Sequence, residues 1–196
     1  MAGSPRRIHI TGGPGSGKTW LATRLSERLG VPRFDQDGVA LATLARLNVP
    51  VTTSTPPPEV IAALANAAGE FASGPCWVSE ASSLSWASPL LMGADVVVWL
   101  DTPAHIALRR VFMRHVRAEL GRDNRFPGWR RMYRFWRWSR RFYADRNPAG
   151  LNPYGTPMTR STLLAAMDEY SGKLIVCRKQ ADVKRLDRVL GACTRA

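Results

Sequence analysis

The sequence reads GGPGSGKT at positions 12–19. These residues match the pattern G-x-x-x-x-G-K-[ST] in full, between an apolar stretch (RIHIT, 7–11) and a stretch of helical spacing at 19–29. Glycines let the backbone bend around phosphate oxygens with its N–H groups pointing inward, and the start of the next helix adds a partial positive charge. The motif therefore predicts a strand, loop and helix that bind the phosphates of a nucleotide.

Two side chains of this loop carry specific chemistry. Lys18 is expected to reach the β- and γ-phosphates and to act in catalysis, and the Thr19 hydroxyl is expected to ligate Mg2+. The predicted cofactors are therefore ATP and Mg2+. The predicted nucleotide contacts in this segment are Gly12, Gly13, Pro14, Gly15, Ser16, Gly17, Lys18, Thr19 and Trp20.

Outward from the loop, short apolar stretches alternate with stretches of helical spacing. Continuous apolar stretches such as DVVVWL at 95–100 suit a parallel sheet that is covered on both faces. The pattern predicts an α/β fold of the P-loop NTPase type, with a doubly wound five-stranded parallel sheet. Strands are predicted at 7–11, 31–34, 76–79, 95–100 and 174–177. Helices are predicted at 19–29, 39–47, 59–72, 104–120, 129–143, 161–170 and 181–190.

No repeat or change of composition marks a second domain, so residues 1–196 are expected to form one. Residues 121–157 are predicted to form a helical, arginine-rich lid. The region 38–74, which includes a proline-rich loop at 49–58, is predicted to shape the acceptor pocket.

The three cysteines, Cys76, Cys177 and Cys193, show no CxxC spacing and no nearby histidine cluster. We interpret them as reduced thiols of a cytoplasmic protein. The longest strongly apolar run, 94–100, is too short to span a bilayer, so no membrane partner is expected.

Positive charge is concentrated in one segment of the chain. The formal net charge is +13, and residues 109–146 contain thirteen arginines against three acidic residues. A concentrated basic patch favours a polyanionic partner, either nucleotide phosphates or nucleic acid.

Carboxylates follow two of the predicted strands, at the sheet edge where open α/β folds bind ligands. Asp35 or Asp37 could orient or deprotonate an acceptor hydroxyl, and the alternative is a helix N-cap. Glu80 could hold a water on Mg2+ or act as the base, and the alternative is a solvated loop carboxylate. Asp101 is expected to cap the helix that follows it.

The helix predicted at 129–143 is both basic and aromatic. A helical wheel places Trp129, Met132, Tyr133, Trp136 and Tyr143 on one apolar face, and Arg140 falls inside that face. An arginine on a buried side is costly unless it is paired. Arg140, followed by Arg137, is therefore predicted to reach inward to the transferring phosphate. The alternative is a pair with a core carboxylate or stacking on Trp136.

Three stretches resemble the nucleoside monophosphate kinase-like proteins, especially adenylate kinases and the DNA topology modulation protein (FlaR) group. They are the phosphate loop, WVSEA at 77–81 and LDTP at 100–103, which is followed by Arg110 and Arg114. The resemblance implies that Arg110 stacks on adenine and that Arg114 contacts the ATP phosphates in catalysis. Residues four apart on a helix share a face, which agrees with those roles.

The resemblance extends to two further parts of the chain. It implies that the loop after the last strand, with Lys179, Gln180 and Ala181, lies against the adenine base, and it likens the 135–142 helix to an arginine-bearing lid. Two features differ from the family pattern. Glu80-Ala81 replaces the usual Asp-Gly, and the adenylate kinase signature for AMP is absent from 53–58.

The leading hypothesis is a phosphotransferase that moves the γ-phosphoryl of ATP to a small-molecule or nucleotide acceptor. The alternative is a nucleic-acid-binding NTPase or regulator, in which the arginines and the nine aromatics between Phe112 and Tyr143 bind phosphates and bases. A third hypothesis, nucleotide binding without turnover, is disfavoured by the presence of Lys18, Thr19 and Glu80.

Overall fold

Five strands form one parallel sheet in the order β2-β3-β1-β4-β5. A computed structural model describes residues 6–51, 55–121 and 128–192. The strands are β1 (Arg7–Gly12), β2 (Arg33–Asp35), β3 (Trp77–Glu80), β4 (Val96–Leu100) and β5 (Leu174–Cys177). Every pair of neighbours is parallel, and β1 lies in the centre, so the loop that follows it opens at the middle of the carboxyl edge. The predicted sheet is confirmed.

Helices connect the strands and cover both faces of the sheet. They are α1 (Lys18–Leu29), α2 (Gln36–Arg46), α3 (Pro58–Ala72), α4 (Ser88–Gly93), α5 (Ala104–Gly121), α6 (Trp129–Tyr143), α7 (Arg160–Asp168) and α8 (Gln180–Ala192). A short 3-10 helix, Ser171–Lys173, precedes β5. Among the helices that the structure describes, none combines the length and the apolar character that crossing a bilayer requires.

Two apolar clusters form the core, one on each face of the sheet. Leu21 and Leu25 of α1 and Leu186 of α8 pack with Ile8 and Ile10 on one face. On the other face, side chains of α3, α4, α6 and α7 surround two strand tryptophans, Trp77 and Trp99. This arrangement leaves the carboxyl ends of the strands as the open edge at which a ligand can bind.

Local chemistry explains where several helices begin and end. Gly17 and Gly30 flank α1 in left-handed conformations that an L side chain rarely adopts. α2 begins at Gln36, earlier than its spacing predicts, because the Asp35 side chain accepts the Gly38 N–H. α4 has only six residues, too few for its period to be visible in the sequence.

Three parts of the sequence-based predictions lie outside the described residues. They are the thiol of Cys193, the lid residues 122–127 and the loop residues 52–54. Cys76 and Cys177 are free thiols.

Candidate nucleotide and acceptor site

The phosphate loop connects β1 to α1, and two of its glycines are required by close neighbours. A Cβ on Gly13 would lie 2.6 Å from Phe142 Cε1 and 2.7 Å from the Tyr143 hydroxyl. Gly15 has a φ of 73°, and a Cβ there would collide with the main-chain carbonyl of Ala107. The loop is therefore held between α6 on one side and α5 on the other, with its backbone free to surround an anion.

Lys18 is half-buried at the base of the loop and is held by main-chain oxygens. Its Nζ donates to Gly12 O at 2.9 Å and to Gly13 O at 3.2 Å. Burial lowers the pKa of the Lys18 ammonium, and the nearby charges of Glu80 and then Asp37 oppose that effect. A triphosphate in the loop would add further negative charge beside this ammonium group.

Thr19 and Glu80 form the second polar element of the loop. Glu80 ends β3 with 5% of its surface exposed, and its Oε2 accepts the Thr19 hydroxyl at 2.9 Å. Its Oε1 accepts from Arg33 Nη1 at 3.2 Å. Burial raises the pKa of the Glu80 carboxyl, and the Lys18 charge and the Thr19 hydrogen bond oppose that rise.

These two oxygen ligands fit Mg2+. Mg2+ is usually held by one or two protein oxygens together with substrate phosphates and waters, rather than by a complete protein cage. Residues 6–51, 55–121 and 128–192 contain no group of three or more His, Cys, Asp or Glu side chains that could hold a metal ion. The buried Ser16 Oγ, which has no hydrogen-bond partner among the described residues, is a further donor suited to a phosphate.

The arginines of α5 lie beside the loop. Arg110 Nη1 and the Thr102 hydroxyl both donate to Ser16 O, at 3.1 and 3.0 Å. Arg114, one turn later, lines the same cavity as the loop. The positions of Arg110 and Arg114 therefore agree with the phosphate and base contacts that the resemblance implies, and those roles remain a prediction.

A cavity of about 1240 Å³ extends from the phosphate loop. Besides the loop, Glu80 and α5, it is lined by residues that we name the acceptor-side group: Gln36, Asp37, Ala81, Ser82, Thr156 and Pro157. Hydrogen bonds join its parts, because the Gln36 side-chain oxygen accepts the N–H of Ser82, and Gly155 O accepts the N–H of Leu84. The cavity therefore has room for a nucleotide and a second small molecule.

Three aromatic side chains of α6, together with Leu163 of α7, form an apolar wall of this cavity. Phe135 and Trp138 are stacked with ring centroids 5.9 Å apart, and Phe142 follows on the same face. Tyr143 donates its hydroxyl to Pro14 O at 2.9 Å, and burial raises its pKa. α6 thus covers the loop with rings rather than with charges.

The predicted orientation of α6 is wrong. Arg140 and Arg137 do not point at the loop; both are exposed and line a separate cavity. The buried residues of α6 are Ser139 and Phe142, not the face of Trp129, Met132, Tyr133, Trp136 and Tyr143. Seven aromatics are distributed around this helix, so a wheel does not select one face. Ser139 is fully buried, and its hydroxyl donates to Phe135 O within the helix.

The carboxylates after β2 occupy different positions. Asp35 caps α2 and lies 3.9 Å from the Arg33 guanidinium, so the structure matches the capping interpretation for it. Asp37 is exposed and lines the main cavity near Glu80.

Asp101 does not act as the predicted helix cap. Both of its carboxylate oxygens accept from Arg160, at 2.9 and 2.7 Å, and Arg178 Nε lies 3.5 Å away. The Asp101 side chain is 7% exposed, and the Arg160 guanidinium also lies over the Trp99 ring. The two residues are 59 positions apart, so local sequence carries no signal for the pair.

The predicted adenine loop contributes one residue to the cavity. Gln180 lines it, as does Trp20. Lys179 and Ala181 are exposed and do not line it, and the Lys179 N–H donates to Asp182 at the start of α8. Sequence-based reasoning also missed Gln36, Thr102, Tyr143 and Arg160, whose partners are all distant in the chain.

The sheet order and the loop after β1 define a P-loop α/β fold. No protein-family model matches the chain, and no curated protein sequence matches it. Solved structures do. An uncharacterized protein from Eubacterium ventriosum is 13% identical at a TM-score of 0.50, over 97% of this chain and 99% of that one. A shikimate kinase from Bacteroides thetaiotaomicron is 15% identical at a TM-score of 0.49, over 95% and 99%. A gluconokinase from Sinorhizobium meliloti is 17% identical at 0.48, over 98% and 93%.

Proposed function

We propose that this protein is a kinase of the nucleoside monophosphate kinase-like type that transfers the γ-phosphoryl of ATP to a hydroxyl of a small molecule. The observation that carries the proposal is that Lys18, Thr19, Glu80 and Asp37 lie around one cavity with the acceptor-side group. Phosphoryl transfer needs positioning and charge stabilisation more than covalent chemistry, and one shared cavity supplies both.

The loop residues would hold the ATP phosphates, and Thr19 with Glu80 would hold Mg2+. Bound ATP and Mg2+ supply the phosphoryl group and neutralise charge on the phosphate oxygens. The chain's own contribution is to orient. The loop N–H groups and Lys18 would fix the phosphates, Arg110 and Arg114 would face them from α5, and the rings of α6 would form an apolar wall of the cavity.

Asp37 is the proposed base. Asp35 is occupied as a helix cap, and Glu80 is bonded to Thr19 and Arg33. Asp37 is the remaining carboxylate of the three, and it lines the cavity. It would accept the proton of the acceptor hydroxyl as that oxygen attacks phosphorus.

The acceptor-side group indicates what kind of molecule is phosphorylated. Its polar members offer an amide, a carboxylate and hydroxyls, and none of those six residues is a cation. Phe135, Trp138 and Leu163 supply apolar surface nearby. We propose an uncharged or cationic polyhydroxyl or ring compound, such as a nucleoside or an aminoglycoside, rather than an anionic acceptor such as AMP.

An acceptor screen tests the proposal. ADP release is measured with Mg2+ and ATP over nucleosides, nucleotides, sugars, cyclic hydroxy acids and aminoglycosides. A neutral or cationic acceptor is expected to raise the rate well above the basal rate, and Lys18→Ala is expected to abolish the increase. Lys184→Ala, at an exposed position of α8, serves as the charge-matched control. If none of these compounds raises the rate of ADP release, the proposal is wrong.

The two aspartates after β2 provide a matched pair for the base. Asp37→Asn is expected to lower kcat by about 100-fold or more, because it removes general-base catalysis. Asp35→Asn is expected to change kcat less than about threefold, because asparagine also caps helices well. Equal loss in both variants would show that the acidic loop acts on structure and not as a base.

The remaining finer features are part of the same proposal. We propose that residues 1–196 form one domain, in which 121–157 is a lid or insertion and 38–74 is the acceptor-binding region. A cytoplasmic location agrees with the free thiols of Cys76 and Cys177, and burial raises the pKa of Cys177 to about 11, which keeps it unreactive.

A further inference from the structure

One face of α6 carries a continuous row of cations away from the phosphate loop. Residues spaced three and four apart lie on the same side of a helix. The α6 stripe, as we define it, consists of Arg130, Tyr133, Arg134, Arg137, Arg140 and Arg141. All six side chains are exposed, and Tyr133 has 57% of its surface in contact with solvent. From Arg130 to Arg141 the stripe extends about 16 Å at 1.5 Å per residue.

No side chain of α6 neutralises the positive charge of the stripe, because the helix contains no acidic residue. Within the ranges that the structure describes, none of the five arginines of the stripe forms an ion pair. Asp145, the next acid in the chain, accepts the N–H of Ser161 instead. Like charges at this spacing repel one another, so the row is unfavourable for the isolated helix and becomes favourable when an anion binds.

Four arginines converge on a small cavity at the end of the stripe. This second cavity, of about 350 Å³, is lined by Arg137, Arg140, Arg141, Arg146 and Ala144. A guanidinium binds phosphate oxygens through two parallel N–H donors, so four of them around one cavity offer a dense set of donors to an anion.

The stripe is separate from the nucleotide cavity. The opposite face of α6, with Phe135, Trp138 and Phe142, lines that cavity and covers the loop. The arginines that line the nucleotide cavity all belong to α5, and they are Arg109, Arg110, Arg114 and Arg117. ATP binding therefore leaves the cations of the stripe available to another partner.

We propose that the α6 stripe binds the backbone of single-stranded nucleic acid. A row about 16 Å long requires an extended anion with repeating charges, which one small phosphate compound does not provide. Exposed aromatics beside the arginines add the second element of single-strand recognition, because bases stack on Tyr133 and on Trp129, which is 55% exposed. This binding does not depend on the proposed kinase activity.

A salt titration with matched variants tests the proposal. Fluorescence anisotropy is measured with the full chain and a labelled single-stranded 20-mer of mixed sequence, from low to moderate salt. The test variant is Arg130→Gln/Arg134→Gln/Arg141→Gln. The control is Arg46→Gln/Lys184→Gln/Arg185→Gln, which removes the same charge at exposed positions of α2 and α8. The test variant is expected to bind at least about tenfold more weakly, with the slope of log K against log salt reduced by about two.

Two further readouts identify the ligand. Tyr133→Ala is expected to weaken binding of the 20-mer several-fold with its salt slope unchanged, because stacking releases no counterions. The affinity for ATP is expected to be the same in the stripe variant and in the unaltered chain, which separates this proposal from the kinase.

Three results would overturn the proposal. One is no binding of the 20-mer at low salt. Another is equal loss in the test and control variants, which would reflect net charge alone. The third is binding through the stripe to vesicles of anionic lipid and not to the 20-mer, which would assign the stripe to a membrane surface.

Discussion

The two arginine-rich helices, α5 and α6, lie side by side but point their charges in opposite directions. α5 turns Arg110 and Arg114 toward the phosphate loop, whereas α6 turns rings toward it and exposes Arg137 and Arg140. Their charge densities alone do not predict this difference. The difference follows from what each helix packs against the loop, Ala107 and Val111 on α5 and Phe142 and Tyr143 on α6. Charge composition locates a basic segment, but close packing decides which way its charges point.

Substitutions of the two loop glycines between α5 and α6 are expected to disturb this packing most. Gly15→Ala is expected to lower the free energy of unfolding by about 3 kcal/mol, because a left-handed residue is strained and its Cβ meets the backbone of α5. Gly13→Ala is expected to cost about 1 to 2 kcal/mol, because its neighbours are side chains that can shift. Urea unfolding measures both. A larger loss for Gly13→Ala would show that α6, not α5, is the rigid support of the loop.

Paired arginine substitutions separate the roles of the helices. Arg110→Ala/Arg114→Ala is expected to weaken ATP binding by about 30-fold. Each charged hydrogen bond contributes about 1.5–3 kcal/mol, and the solvent exposure of both arginines reduces that contribution. Arg137→Ala/Arg140→Ala is expected to change it less than about twofold, within the range typical of surface changes. Calorimetric titration with Mg2+ and ATP provides the comparison. An equal loss in the second pair would mean that α6 rotates its arginines inward when ATP binds.

His9 is a titratable residue in the core, and its pKa differs between the folded and the unfolded chain. It is fully buried on β1 with Nδ1 2.8 Å from Ser79 Oγ, and burial lowers its pKa to about 3. The unfolded chain takes up a proton below about pH 6.5, and the folded chain does not until about pH 3. Stability is therefore expected to fall as pH decreases from 6.5, by about 1.4 kcal/mol per pH unit from this residue at lower pH.

His9→Gln is expected to remove that part of the pH dependence, and His105→Gln, at an exposed position of α5, is expected to retain it. Urea unfolding at pH 7.5, 6 and 5 measures the difference. The same slope in the unaltered chain and in His9→Gln would contradict the assignment.

The smallest expected effect concerns the contact that holds α6 over the loop. Tyr143→Phe removes the hydrogen bond to Pro14 O and is expected to cost about 1 kcal/mol of stability. Tyr133→Phe, on the exposed side of the same helix, is expected to cost less than about 0.5 kcal/mol. No difference between the two would argue that α6 does not rest on the loop.

The fold could be predicted from the sequence because its signals are local. The phosphate loop, the apolar run of β4 and the alternation of strands with helices each involve neighbours in the chain. The sequence does not predict α4, because six residues show no period. It predicts a late start for α2, because periodicity carries no signal for the capping hydrogen bond of Asp35.

The candidate site divides in the same way. Lys18, Thr19 and Glu80 could be predicted from the motif and from strand ends. The Asp101–Arg160 pair and the Tyr143–Pro14 contact join residues 59 and 129 positions apart, which only the folded chain brings together. The orientation of α6 could not be derived because aromatics surround the helix, and its two buried residues, Ser139 and Phe142, do not stand out in that pattern.

Calorimetric titration of ATP into the unaltered chain and into Lys18→Ala, with and without Mg2+, tests the central claim most directly. We expect one ATP bound per chain, with higher affinity in the presence of Mg2+, and a loss of that affinity in the variant at unchanged stability. Absence of magnesium-dependent binding in the unaltered chain, or equal affinity in Lys18→Ala, would contradict it.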